Sequence, residues 1–208
     1  MNLHELRENY SKYSLNETEV NTNPFKQFEV WFGDAKNGAI REPNAMTLAT
    51  ATHSGKPSAR VVLLKEVNQE GFVFYTNYLS RKGKEIGENP YATILFFWDA
   101  LERQVRIEGI LKKVDEATSE AYFNSRPLES RIGAIVSAQS TVIESAQVLE
   151  TLFEQTKAAG NIVRPKHWGG YVLMPDYFEF WQGRPDRIHD RIAYTQTKSE
   201  WLIQRLAP

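Results

Sequence analysis

Short apolar runs, β-branched or aromatic, occupy residues 45–114. They are AMTLATAT at 45–52, ARVVLLKEV at 59–67, GFVFYTN at 71–77, ATILFFW at 92–98 and QVRIEGILKKV at 104–114. Runs of this kind, rich in β-branched and aromatic residues and bounded by turn signals, predict strands. Turn chemistry separates them at His53-Ser54-Gly55-Lys56-Pro57, Asn68-Gln69-Glu70-Gly71 and Asn89-Pro90. The first three runs are expected to pair as a meander. A helix interrupts them, capped by Ser80 and ending near Asn89-Pro90. Upstream, Phe25, Phe28 and Phe32 recur at helical spacing after Asn23-Pro24, with Gly33 or Gly38 as the stop. After Asp115 the period becomes helical over 116–126, 128–137 and 143–159. Beyond Pro165 it returns to strand over 168–175, 177–183, 190–196 and 200–206. Residues 1–22 are polar and are expected to form a mobile arm. The fold class expected is mainly β with inserted helices. It is a barrel or sandwich in a single domain over 23–208, with the helical insertion at about 115–160.

Composition narrows the chemistry. The 208 residues are 41% hydrophobic, enough for a core, and the net charge of −1 gives no general attraction to nucleic acid or acidic membranes. Any anion binding must come from local clusters. The absence of cysteine excludes disulfides, thiolate catalysis and cysteine metal sites. His4, His53, His167 and His189 are scattered without ligand spacing, so no metal is expected. A polar N-terminus and the lack of a ~20-residue apolar run lead to the expectation of a soluble cytoplasmic protein. Phosphate-loop, dinucleotide-fingerprint and nucleophile-elbow motifs are missing. Redox or group-transfer chemistry would need an organic cofactor.

The polar clusters that remain are local. If Arg187-Ile188-His189-Asp190-Arg191 is extended, Arg187, His189 and Arg191 share one face, with Ile188 on the other. Aromatic neighbours Phe178, Phe180, Trp181, Tyr194 and Trp201 suggest core or pocket wall around that face rather than open surface. Arg60 and Lys65 stand at the two ends of an apolar run. Their opposite parity points them to opposite faces unless a bulge re-aims one. Tyr75-Thr76 and Ser80-Arg81-Lys82 place hydroxyls and two cations at a helix N-terminus, a setting that favours phosphate. Tyr122 and Arg126, four apart, precede Pro127, and Ser130 opens the next helix as a second candidate phosphate site. Gln139-Ser140 and the Gln104–Arg106 pair could hydrogen-bond a heterocycle edge. Each cluster taken singly also suits a solvated surface or a helix cap.

Together these stretches resemble the pyridoxine/pyridoxamine 5′-phosphate oxidase family. The likeness rests on RVVLLK (60–65), FVFYTNYLSRK (72–82), LERQVRIEG (101–109), YFNSRPLESRIGA (122–134), SAQS (137–140), WGGY (168–171), EFWQGRPDRIHDR (179–191) and the terminal RLAP. The resemblance implies an FMN-binding split β-barrel with a smaller helical part, and a homodimer with FMN at the interface. The implied reaction is oxidation of pyridoxamine or pyridoxine 5′-phosphate by oxygen, giving pyridoxal 5′-phosphate and hydrogen peroxide.

Carried over by position, the strand Arg60, Val61, Val62, Leu63, Leu64 and Lys65 would line the flavin. Tyr75, Thr76, Arg81 and Lys82 would bind FMN, with the two cations at its phosphate. Gln104, Gln139, Ser140, Trp181 and Arg191 would complete that site. Lys65, Tyr122, Arg126 and Ser130 would hold the substrate phosphate. Arg187 and His189, flanking Ile188, would face the reacting end as catalytic residues. Arg7 and Tyr10 match an Arg-x-x-Tyr that closes over the site. Departures from the family pattern, Arg131 for Gln, Ile135 for Trp and Ile188 for Leu, fall beside these positions. Two other functions suit the clusters less well. A nicotinamide-using flavin reductase gives no reason for Tyr122, Arg126 and Ser130. A non-catalytic carrier of FMN or pyridoxal phosphate gives none for Arg187 and His189.

Overall fold

The structure, a computed structural model, describes residues 1, 4, 9–38 and 40–208. In chain order the elements are α1 (Pro24–Asn37), β1 (Ala45–Ala51), β2 (Pro57–Leu63), β3 (Glu66–Val67), β4 (Phe72–Asn77), α2 (Arg81–Glu88), β5 (Tyr91–Trp98) and β6 (Arg103–Lys113). They continue as α3 (Glu116–Ser125), α4 (Leu128–Val136), α5 (Ala146–Ala159), β7 (Trp168–Gln182), β8 (Asp190–Gln196) and β9 (Trp201–Arg205). The expected class, mainly β with inserted helices, is the one found. Strand order is β2-β1-β5-β6-β7-β4-β3, with β8 beside β7 and β9 beside β8. The expected meander of the first three runs is found only in part, with β2 beside β1 and β3 beside β4. The 59–67 run breaks at Leu64, only its last two residues pair with β4, and the long partner of β4 is β7. Nothing in local alternation encodes that long-range choice.

The chain falls into two compact units, Met1–Leu48 with Thr93–Gly109 and Pro175–Pro208, and Ala49–Ala92 with Ile110–Met174. The first unit packs α1 on an aromatic core. Asn23 caps the helix, its side chain accepting from the backbone N–H groups of Phe25 and Lys26, and Pro24 fits the first turn, where no N–H is needed. Phe28, Trp31 and Ala35 form the buried stripe, and Trp31 meets Phe180 edge-on at 5.2 Å. Helix α1 runs through Gly33 and stops at Gly38. Tyr194 is fully buried, and its hydroxyl donates to the Asn21 carbonyl at 2.8 Å.

The polar N-terminal stretch is anchored over its described part. The Glu102 carboxylate accepts from the Ser11 and Lys12 amides at 2.9 and 3.1 Å. Leu15 is buried, its amide donating to Asp190, and Arg205 donates to Glu17, Asp190 and the Leu15 carbonyl.

The second unit carries β4 antiparallel to the first half of β7, pairing Phe72 with Leu173 through Asn77 with Trp168. Ser80 is fully buried at the start of α2, its hydroxyl accepting from the Gly83 amide. Gly83 is required there, because a Cβ would lie 2.1 Å from the Tyr78 carbonyl oxygen. That close approach seats the helix start against the end of β4.

Candidate active site

A cavity of about 1040 Å³ opens in the second unit. One wall is β2 and the segment after it, and Arg60, Val61, Val62, Leu63 and Lys65 all line it. Opposite parity should have separated Arg60 from Lys65. The strand stops at Leu63, however, and the chain re-enters pairing only at Glu66, so the break re-aims Lys65. Leu64 turns the other way and is buried off the cavity.

Tyr75, Thr76, Arg81 and Lys82 line a second part of the wall, at the N-terminus of α2. Lys82 is 9% exposed, and its amine donates to neutral oxygens: Gln139 Oε1 at 2.7 Å, Thr76 Oγ1 at 3.2 Å and Ser80 Oγ at 3.5 Å. Burial, and then the nearby Arg60 guanidinium, pull its pKa below the ordinary lysine value. A buried ammonium at the positive end of a helix is an unfavourable arrangement until an anion arrives. Gln139 is thus placed by Lys82, and Ser140 beside it takes a left-handed φ of 71°.

Arg60 and Arg81 converge behind the cavity wall on Glu85, which is 4% exposed. Burial by itself would raise that carboxyl. Hydrogen bonds from Ser58, Thr50, Arg81 and Arg60 outweigh it and hold the pKa at about 2. Sequence reasoning missed this residue. Its trace was an Arg81–Glu85 spacing of one helical turn, beside the alternating polar Ser58 and Arg60 of β2.

The third part of the wall joins α3 and α4. Tyr122, Arg126, Pro127 and Ser130 line it. Tyr75, Tyr122 and Trp168 form a stack, with Tyr75 and Tyr122 centred 3.8 Å apart and Tyr75 and Trp168 5.6 Å apart. Burial foremost pushes the Tyr75 phenol up to about 12. Arg126 lies over Trp168 at 4.7 Å, and one of its terminal nitrogens is buried without a hydrogen-bond partner among the described residues. Burial lowers its pKa. Trp168 was quoted in the sequence but given no role.

The remaining expected residues belong to the first unit. Arg187 and His189 do not share a strand face with Arg191. Pro185 begins a short 3-10 turn, Asp186 and Arg187 both take left-handed φ of 56° and 61°, and β8 starts only at Asp190. A proline and two left-handed residues cannot sustain a ladder, which is why the alternation failed here. Arg187 and Ile188 are exposed, Ile188 to 69%. The Arg184 amide donates to His189 Nδ1 at 3.1 Å. A neutral ring accepting there carries its proton on Nε2. Burial, then the Arg187 charge, lower the His189 pKa against the opposing pull of Asp190. The His189 ring sits 4.7 Å from Trp181 and 6.0 Å from Tyr10.

Arg191 pairs with Trp181 across β7 and β8. It donates to the buried Glu179, which also accepts from Arg106 at 2.6 Å. Gln104 lies two residues from Arg106 on β6, half-buried. Arg7 lies outside the described residues. The expected set is thus divided. Most of the flavin strand, both helix-end cations and the whole second phosphate cluster line one cavity, while Gln104, Trp181, Arg187, His189, Arg191 and Tyr10 are held in the other unit.

Comparison with known proteins adds the following. Residues 32–159 match the family described as pyridoxamine 5′-phosphate oxidase. Residues 168–208 match one described as the pyridoxine 5′-phosphate oxidase C-terminal dimerisation region. A pyridoxine/pyridoxamine 5′-phosphate oxidase of Gloeothece citriformis is 55% identical over 208 residues, covering 98% of this chain and 97% of that one. One from Burkholderia thailandensis is 56% identical over 211 residues, covering 99% of each. Among solved structures, PhzG from Burkholderia lata 383 in complex with tetrahydrophenazine-1-carboxylic acid superposes with a TM-score of 0.90 at 28% identity, covering 95% of this chain and 99% of that one. A pyridoxamine 5′-phosphate oxidase-related, FMN-binding protein of Nostoc punctiforme shares the fold, with a TM-score of 0.72 at 17% identity, covering 89% and 98%.

Proposed function

Because the chain belongs to the pyridoxamine 5′-phosphate oxidase family, we propose that it is an FMN-dependent oxidase of pyridoxamine or pyridoxine 5′-phosphate. Its fold is the split β-barrel of that family, and FMN is its cofactor. The observation that carries the reading is the state of two cations in one cavity: among the described residues, the buried Lys82 amine meets neutral oxygens only, and the Arg126 guanidinium has a buried nitrogen left over. Two phosphoesters, one on the cofactor and one on the substrate, supply what each lacks.

When bound, FMN supplies the acceptor for a hydride and hands the electrons to oxygen, yielding hydrogen peroxide; the amine substrate also consumes water and releases ammonia. The protein contributes orientation and electrostatics. Arg81 and Lys82, at the free N–H end of α2, hold the flavin phosphate, and Val61 to Leu63 give the ring an apolar wall. Lys65, Tyr122, Arg126 and Ser130 fix the substrate phosphate. The neutral His189, its Nδ1 occupied by the Arg184 amide, presents Nε2–H to an oxygen or nitrogen of the substrate. Arg187 brings a positive charge beside it.

The dimerisation region supports a homodimer. Val61, on the cavity wall and on the edge strand β2, is 67% exposed, which suits cover by a second protomer at the flavin. On this reading Gln104, Trp181 and Arg191 complete a flavin site shared by two protomers.

A second reading has one observation behind it, the 0.90 superposition on a protein bound to tetrahydrophenazine-1-carboxylic acid. One experiment separates the two. The purified protein, yellow with flavin, is mixed without oxygen with pyridoxamine phosphate or with tetrahydrophenazine-1-carboxylic acid. Bleaching by the first at a rate matching turnover is expected. Bleaching by the second only would transfer the assignment, and bleaching by a nicotinamide only would make the protein a reductase. A flavin that none of them bleaches would leave a carrier.

A further inference from the structure

Among the described residues Glu85 engages two of the cavity's cations, and it does so from outside the cavity lining. Its Oε2 accepts from Thr50 Oγ1 at 2.5 Å, Ser58 Oγ at 2.5 Å and Arg60 at 3.1 Å, while Oε1 accepts from Arg81 Nε at 2.9 Å. The two hydroxyls are relays: Arg60 donates to Thr50 Oγ1 at 2.7 Å and also to Ser58 Oγ, and each hydroxyl passes its own hydrogen to the carboxylate. Both guanidiniums are therefore gripped by one carboxylate that does not line the cavity. An arginine side chain has many rotamers, and fixing it costs entropy at the moment of binding unless the fold has already done so.

We propose that Glu85 is a positioning residue, whose carboxylate orients the Arg60 and Arg81 guanidiniums for the phosphate of the bound flavin. The inference rests on the flavin reading above. Two guanidiniums against one carboxylate leave a net positive charge facing the cavity, to which Lys82 adds. The carboxylate stays ionised throughout any physiological pH range, so the grip does not titrate away.

Glutamine is the informative replacement. An amide placed with its oxygen at Oε2 keeps Thr50, Ser58 and Arg60 but turns an NH2 toward the Arg81 Nε–H, donor against donor. Riboflavin, which has the ring but no phosphate, separates orientation at the phosphate from general damage to the cavity.

The test titrates FMN and riboflavin into the full-length chain stripped of flavin, reading the quenching of flavin fluorescence. Glu85→Gln is expected to weaken FMN roughly tenfold and to change riboflavin by less than about twofold. Thr50→Val leaves every charge in place and removes one relay; it is expected to weaken FMN about threefold, again sparing riboflavin. If both ligands weaken together, Glu85 serves the fold only and the proposal is overturned. It is equally overturned if Glu85→Gln binds FMN as well as the wild type or better, since the carboxylate then merely offsets excess charge. Should Glu85→Gln fail to fold, Thr50→Val decides: an unchanged FMN affinity rejects the proposal. A wild-type chain that binds no FMN would remove the flavin reading itself, whatever the variants do.

Discussion

Arg126 and Arg187 carry similar charges but are built into different surroundings. Arg126 is stacked on Trp168 with a nitrogen to spare, and on the proposed reading it holds a phosphate that is the same before and after reaction. Arg126→Ala should therefore raise KM. A charge-assisted hydrogen bond is worth about 1.5–3 kcal/mol, so a rise of roughly tenfold to a hundredfold is expected, with kcat little changed. Arg187→Ala should do the reverse, slowing anaerobic flavin reduction while FMN stays bound. Rapid-mixing reduction across a range of substrate concentrations reads both, and an Arg126→Ala variant with unaltered KM would misplace the second phosphate site. Residues of this kind were legible because cations beside a helix start are conspicuous, as with Lys82 at α2 and Arg126 before α4. Glu85 was not. In sequence it is one acid in a lysine-rich turn, indistinguishable from a solvated face, and only the approach of β1 with Thr50 and of β2 with Ser58 and Arg60 buries it.

Helix α2 shows how an element aims its side chains. Gly83 has no room for a methyl group against the Tyr78 backbone, whereas a Cβ at Gly87, one turn on, meets nothing within 4 Å. Gly83→Ala should force the first turn away from β4 and destabilise the fold by about 3 kcal/mol, with a loss of FMN affinity because Arg81 and Lys82 move with it. Gly87→Ala should instead stabilise by about 0.5–1 kcal/mol and leave the flavin alone. Urea midpoints, with flavin titrations on the same samples, check the pair. Sequence patterning located most elements within a residue or two, since strands such as β6 alternate between buried and half-exposed positions up to Leu111. It split β7 in two at Pro175. That proline falls between the register with β4 and the register with β8, where neither neighbour needs its missing N–H, and the strand runs on. Long-range pairing, the burial of Glu85 and the left-handed turn before β8 depend on contacts far apart in sequence, which periodicity does not encode.

At the scale of the whole molecule, a net charge of −1 conceals strong local opposition of sign. The cavity is cationic, and buried glutamates 85 and 179 each hold two guanidiniums. If two protomers share the flavin, dilution should release FMN over the same concentration range in which sedimentation shows the dimer coming apart. Flavin retained by a monomer would confine the site to one chain. The consecutive left-handed residues Asp186 and Arg187 carry a cost of their own, of order 1–2 kcal/mol each, which the surrounding structure must underwrite. On the role proposed for Arg187, that turn resembles a cocked spring: selection for toughness alone would relax it, and a sturdier chain with a blunted tip would be the result.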